Sequence, residues 1–230
     1  MAPRKPSTPK AATQTKILIV DDHPMMREGL RSMINRQPDM RVCGEAENAA
    51  QAMSAVQQFA PDLALVDITL PGKSGLELVK DLKVMLPQLV ILAISMHDES
   101  LYAERMLRAG ASGYIAKQQP PEELLKAIRQ VLDKRVYVSK EVSESLLRRF
   151  SWQPRGDVSP TKLLTDREFE IMRLIGEGKA PREIARQLHL SPKTIAVHAA
   201  NIRHKLNLKT TAQLIRFAVQ HEDPRNRARD

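Results

Sequence analysis

Five apolar runs punctuate the first 135 residues: Ile17 to Val20, a looser Arg41 to Glu45, Leu63 to Val66, Val90 to Ile94 and a short Tyr114 to Ala116. Short continuous runs of this kind are the mark of strands buried on both faces. Between and after them, apolar positions recur at helical spacing near 24–36, 48–58, 74–86, 99–109 and 121–133. Five strand-helix units predict a parallel sheet, because a crossover between parallel strands must run over one of its faces. Such a doubly wound open sheet binds ligands outside the carboxyl ends of its strands. After Leu132 the pattern changes. A short amphipathic stretch, Lys140 to Phe150, precedes a Pro/Gly/Ser-rich segment over about 149–162, and four helical patterns follow near 166–176, 181–189, 192–206 and 210–220. The expected organisation is an unstructured basic extension (1–15), an α/β domain (16–133), a linker carrying a short helix (134–161), a small all-helical domain (162–222) and an unstructured tail (223–230).

Composition narrows the function classes. At 42% hydrophobic and 27% charged residues the chain is that of a soluble protein, and no apolar run approaches the roughly 18 residues of a membrane span. The start is basic and proline-rich with no apolar stretch behind it, so a cytoplasmic location without membrane contact is expected. The lone Cys43 excludes an internal disulfide or a cysteine-based metal cluster, and its place in the second strand predicts a core position. The net charge of +9 is uneven: residues 17–135 carry 14 basic against 16 acidic groups, whereas residues 161–230 carry 14 against 8. A polyanion partner, most simply nucleic acid, is therefore expected at the second domain.

Chemistry concentrates at the strand ends. Asp21 and Asp22 follow the first strand and Asp67 ends the third. In a sheet of order 2-1-3-4-5 these strands flank the point where the order reverses, so three carboxylates should share one pocket. Crowded carboxylate oxygens suit a hard divalent cation, and Mg²⁺ fits. Ser95 and Lys117 stand at the ends of strands four and five. A carboxylate nucleophile, a divalent ion, a hydroxyl and a lysine together make a phosphoryl-accepting site, with Asp67 as the nucleophile. The loop after it, Ile-Thr-Leu-Pro-Gly, can turn the Thr69 backbone carbonyl toward the metal, with Pro71 and Gly72 setting the turn. His97 has no neighbours that would support a metal or nucleophilic role.

Residues 16–133 resemble a two-component receiver domain, of flavodoxin-like fold, through Ile-Leu-Ile-Val-Asp-Asp-His, Leu-Val-Asp-Ile-Thr-Leu-Pro-Gly, Ala-Ile-Ser and Gly-Tyr-Ile-Ala-Lys. The resemblance implies that a sensor histidine kinase phosphorylates Asp67 and that Asp21 and Asp22 are the acid pair. It further implies that Ser95 and Lys117 contact the phosphoryl group and that Tyr114 is the switch aromatic.

The helical domain opens on Leu164-Thr-Asp-Arg-Glu168, where Thr165 and Glu168 have capping-box spacing. Pro181 to Leu188 predicts a short helix, His189-Leu190 a turn, and Ser191-Pro192 the cap and first residue of the next helix. In that helix Ile195, Ala199, Ile202 and Leu206 should pack inward. Lys193, Ala196, Val197, Ala200, Arg203 and His204 face out, a small-residue strip flanked by basic groups that could enter a DNA groove. This stretch resembles the LuxR-type helix-turn-helix through Leu-Thr-x-Arg-Glu, Glu183-Ile-Ala185, Ser191-x-x-Thr194-Ile195, His198 and Asn201-Ile-x-x-Lys-Leu206. With the receiver it is similar to NarL/FixJ-class response regulators. The implied function is phosphorylation-dependent, DNA-binding transcriptional regulation without enzymatic turnover beyond acceptance and loss of the phosphoryl group. Double-stranded operator DNA, the kinase and a second copy of the chain are the expected partners, and RNA polymerase is a candidate. The DNA-contacting set is Lys193, Thr194, Ala196, Val197, Ala200, Arg203 and His204, with His198 as core-facing support. Alanine at 196 and 200 departs from the polar residues usual there and implies few direct base hydrogen bonds. A phosphatase of the haloacid-dehalogenase type is disfavoured because Thr69 stands where its second aspartate would be. A flavin protein and a phosphoryl-sequestering interaction protein remain alternatives.

Overall fold

The structure, a computed structural model, describes residues 14–96, 99–151 and 160–221. The first domain holds a parallel sheet of β1 (Thr15–Val20), β2 (Met40–Ala46), β3 (Leu63–Asp67), β4 (Val90–Ser95) and β5 (Gly113–Ala116), in the order β2-β1-β3-β4-β5. Its helices are α1 (Pro24–Asn35), α2 (Ala49–Phe59), α3 (Gly75–Met85), α4 (Glu99–Ala109) and α5 (Pro121–Leu132). Alternate strand residues serve opposite faces. Ile17, Ile19, Leu63, Leu65, Leu92, Ile94 and Ile115 pack with Leu30 and Ile34 of α1 and Leu124 and Ile128 of α5. Leu18, Val20, Ala64, Val66, Ile91 and Ala93 pack with α2, α3 and α4 on the other side. Both faces are thus covered, as a parallel sheet requires.

Local chemistry sets the helix starts. Pro24 occupies the first turn of α1, Asn48 caps α2, and Ser74 with Glu77 forms a capping box on α3. These caps satisfy amide groups that a helix cannot bond internally.

Two expectations need adjusting. Thr15 belongs to β1, paired with Met40, so the strand begins inside the segment expected to be unstructured; residues 1–13 and 222–230 lie outside the described residues. Cys43 is only half-buried, because β2 is an edge strand and one flank of it has no neighbouring strand. The linker helix α6 spans Lys140–Ser151, whereas the rest of the linker up to residue 159 lies outside the described residues, as does His97.

The second domain begins with a 3₁₀ turn, Pro160–Leu163, and holds α7 (Asp166–Gly176), α8 (Pro181–Gln187), α9 (Pro192–Lys205) and α10 (Thr211–Gln220). The α8–α9 turn passes through His189 at φ 51°, a left-handed conformation that histidine tolerates better than β-branched residues do. Phe169, Ile171, Met172, Leu174, Ile184, Ile195, Ile202 and Leu214 form its core. That core is continuous with the α3–α4 side of the first domain, where Tyr102 meets Phe169 edge-on at 5.4 Å.

Candidate functional site

Parallel pairing brings the strand ends level. Val20 lies beside Val66, Asp67 beside Ile94, and Ser95 beside Ala116. Residues that follow or end these strands therefore converge at one edge. Lys117 Nζ lies 2.6 Å from Asp21 Oδ2 and 2.8 Å from Asp67 Oδ2, and its side chain is 3% exposed. Asp21 and Asp67 are buried and Asp22 is partly exposed. Ser95 is fully buried, and its carbonyl accepts from the Lys117 backbone N–H at 2.7 Å. The Thr69 N–H donates to Asp67 Oδ1 at 3.1 Å, folding the loop back over the strand end. Tyr114 is wholly buried in the cluster that holds Tyr102, Ala103 and Met106 of α4.

Two glycines permit this loop. Gly72 takes φ 77°, the turn residue expected after Pro71. At Gly75, a Cβ would run into the Asp67 carbonyl, so only glycine lets α3 start this close to the end of β3.

The electrostatics follow from burial. Burial pushes the Asp67 carboxyl up to about 6; Lys117 opposes the shift and Asp21 adds to it. Burial pulls the Lys117 ammonium down, yet Asp67 and Asp21 outweigh it and hold it above its ordinary value. One ammonium among three carboxylates leaves the pocket with a net negative charge. Asp21 Oδ2 and Asp22 Oδ1 are both buried, and among the described residues each has one ion-pair partner, Lys117 Nζ at 2.6 Å and His23 Nδ1 at 2.7 Å. Ligand atoms from Asp21, Asp22, His23 and Asp67 all lie within 4.8 Å of one another. Such a set of under-satisfied hard oxygens fits a divalent cation.

Sequence reasoning missed Arg27. Its guanidinium is 10% exposed, donates to the Asp21 carbonyl at 2.7 Å and to Glu47 Oε1 at 2.7 Å, and lies 3.4 Å from Glu45 Oε2. It fixes the backbone at the acid pair. Its spacing places it on the buried stripe of Leu30 and Ile34 on α1, but nothing local in the sequence points to its partner Glu47.

On α9 the inward and outward faces fall as the spacing predicts. Ile195 and Ile202 are buried, and Ala199 and Leu206 pack against the core. Lys193, Ala196, Val197, Ala200 and His204 are exposed, while Thr194 and Arg203 are partly so. The Thr194 hydroxyl lies 2.8 Å from that of Ser191, within the helix cap. His198 is half-buried, and its Nδ1 has no hydrogen-bond partner among the described residues.

Comparison with known proteins decides the family. Residues 17–129 match the response regulator receiver domain, and residues 162–218 match bacterial regulatory proteins of the luxR family. The oxygen regulatory protein NreC of Staphylococcus epidermidis is 36% identical over 211 residues, covering 89% of this chain and 97% of the relative. NreC of Staphylococcus aureus is 37% identical over 210 residues, with the same coverage. The chain is a LuxR-type response regulator. Among solved structures, this regulator is similar to RcsB of Salmonella enterica serovar Typhimurium, solved on the rprA promoter with a phosphomimetic. The TM-score is 0.62 at 27% identity, over 90% of this chain and 99% of RcsB. A LuxR-family response regulator from Aurantimonas sp. SI85-9A1 matches with TM-score 0.57 and 34% identity, over 61% of this regulator and 100% of that chain. The regulator joins a receiver to a LuxR-type DNA-binding module, the organisation of a family of transcriptional response regulators.

Proposed function

We propose that Asp67 accepts a phosphoryl group from a sensor histidine kinase and that this event controls DNA binding by α9. The observation that carries the reading is the convergence of Asp21, Asp22, Asp67 and Lys117 at the carboxyl edge of the sheet. An Asp67 oxygen forms a bond to phosphorus as the P–N bond of the kinase phosphohistidine breaks, and the imidazole leaves with a proton. Lys117, already ion-paired to Asp67, stabilises the transferred oxygens, and Ser95 bonds to one of them. Asp21, Asp22, Asp67 and the Thr69 carbonyl would hold Mg²⁺, which when bound would supply positive charge to offset that of the phosphoryl group. Arg27 keeps Asp21 in place. Tyr114 and α4 repack as Ser95 moves, which makes this face the relay to the second domain. The only chemistry on the chain itself is gain and loss of the phosphoryl group.

For DNA, Lys193, Thr194, Arg203 and His204 meet phosphates while Ala196, Val197 and Ala200 let the helix sit deep in the major groove. Two copies on spaced half-sites supply the specificity that one such helix lacks. RcsB, solved on promoter DNA, supports this part of the reading. Among the described residues no helix is long and apolar enough to cross a membrane.

Incubating the chain with acetyl phosphate and Mg²⁺ should add one phosphoryl mass. A mass gain retained in Asp67→Asn would refute the acceptor assignment.

A further inference from the structure

Two segments next to the acceptor are gripped by the helical domain. The first is the loop after Asp67: Arg167 of α7 donates from Nη2 to the Gly72 carbonyl at 3.0 Å, three residues beyond Thr69. The second is α4. Its Arg105 sends every described side-chain contact across the boundary, to the Thr161 carbonyl at 2.6 Å, the Leu164 carbonyl at 3.3 Å and Asp166 Oδ1 at 2.9 Å. The same guanidinium lies 4.2 Å from the centre of the Phe169 ring. Asp166 is also paired with Lys80 of α3, and Tyr102 packs edge-on against Phe169, both rings nearly sealed from solvent. Loop and α4 are thus fastened to one helix, α7.

The docked arrangement does not cover the DNA-facing strip of α9, whose Ala196, Val197, Ala200 and His204 stay exposed. The contact therefore does not bury the outer face of α9. Its grip falls on the elements around Asp67. Loading the pocket requires the Thr69 carbonyl to turn to the ion and Ser95 to approach the phosphoryl oxygens, so the β3–α3 loop and the start of α4 must both adjust. Linkage makes the effect reciprocal: if phosphorylation loosens the clasp, the clasp must equally oppose phosphorylation.

We propose that Arg105 and Arg167 are positioning residues through which the docked helical domain slows phosphoryl acceptance at Asp67. This rests on the acceptor reading above. Arg105 is the decisive position, because among the described residues its side-chain partners all lie in the other domain. Arg167 also bonds the Leu188 carbonyl at 2.9 Å and Glu170 Oε2 at 2.7 Å, so its loss disturbs α7 as well.

The test follows acetyl phosphate labelling of the full chain with Mg²⁺ by intact mass over time, for the parent, Arg105→Ala, Arg167→Ala and the double variant. Arg105→Ala should label about 5-fold faster, the lower end of typical coupling between sites. The double variant should gain little more, since both arginines close one clasp. Arg105→Lys, which keeps the charge but not the planar fork, should fall between. A far-ultraviolet circular dichroism spectrum and a cooperative thermal melt like the parent's show that Arg105→Ala is folded, so that faster labelling is not a general loss of structure. Labelling of Arg105→Ala at the parent rate or slower overturns the proposal while leaving the acceptor reading standing. A parent chain that takes no label at Asp67 removes both.

Discussion

The acidic pocket and the outer face of α9 solve opposite problems. In the pocket, side chains from separate strands converge within hydrogen-bonding range, are mostly buried, and carry charges that only a specific ligand set can balance. On α9, the residues come from one helix, point to solvent, and are chiefly alanine and valine between basic groups. The lesson is that convergence defines chemistry, whereas a single exposed face defines only a kind of partner. If α9 meets DNA as proposed above, its affinity comes from charge, and its sequence choice from methyl contacts and DNA shape.

The sharpest way to break the comparison is Asp67→Asn. Phosphoryl incorporation should vanish, yet the metal-free fold should become more stable. Because burial raises the Asp67 carboxyl from 3.8 to about 6, its ionised form costs stability. That cost is absent below the unfolded value and complete above about pH 6. At pH 8 in EDTA the variant should be more stable than the parent, read as a higher melting temperature. No gain would mean that Lys117 already balances the pocket.

The next effect is on Mg²⁺ binding. Below about pH 6 a proton on Asp67 competes with the ion, so affinity measured by calorimetry should drop up to about tenfold per pH unit. A flat profile between pH 7 and pH 5 would exclude Asp67 as a ligand.

On α9, Lys193→Ala and Arg203→Ala should each weaken retention on any duplex and reduce the salt slope by about 1, leaving sequence preference unchanged. Ala196→Lys should instead change the preferred sequence in a selection experiment. If preference does not move, this strip does not read bases.

The smallest effect concerns the helical core. Burial pushes the Glu168 carboxyl up, but hydrogen bonds from Lys205 and Thr165 outweigh it and hold it below 4.5. A depressed carboxylate stabilises the fold above its unfolded value and loses that contribution as pH falls through the folded one. Glu168→Gln should therefore cost about 1–2 kcal/mol at pH 7 and progressively less below about pH 4.5, by denaturant titration.

Much of the α/β domain was legible because each strand is a short apolar run and each functional group closes one. Val66-Asp67, Ile94-Ser95 and Ala116-Lys117 carry position and chemistry in adjacent letters. The inward and outward faces of α9 were legible for the same reason, since one helix has one period. Arg27 was not, because a basic residue on an apolar stripe has no partner visible in sequence; Glu47, twenty residues on, supplies it. The clasp was less legible still. Arg105 and Asp166 are 61 residues apart, and Arg167 lay inside a motif that local spacing explained as a helix start. Cys43 was misplaced because a strand's apolar run does not say whether it has one neighbour or two.

One detail beyond α5 bears on how the sheet avoids unwanted company. Tyr137 bridges Gly113 in parallel, accepting from the Tyr114 N–H at 2.8 Å and donating to the Ser112 carbonyl at 3.2 Å, so the chain closes off β5 with its own backbone. At the opposite margin, the Asn35 side chain accepts from the Val42 N–H at 2.8 Å, and the β1–β2 register shifts between Ile17 and Leu18. A long, flat, unpaired margin would template aggregation. Here one side is self-sealed and the other is plugged and kinked, which leaves little for a stray strand to extend.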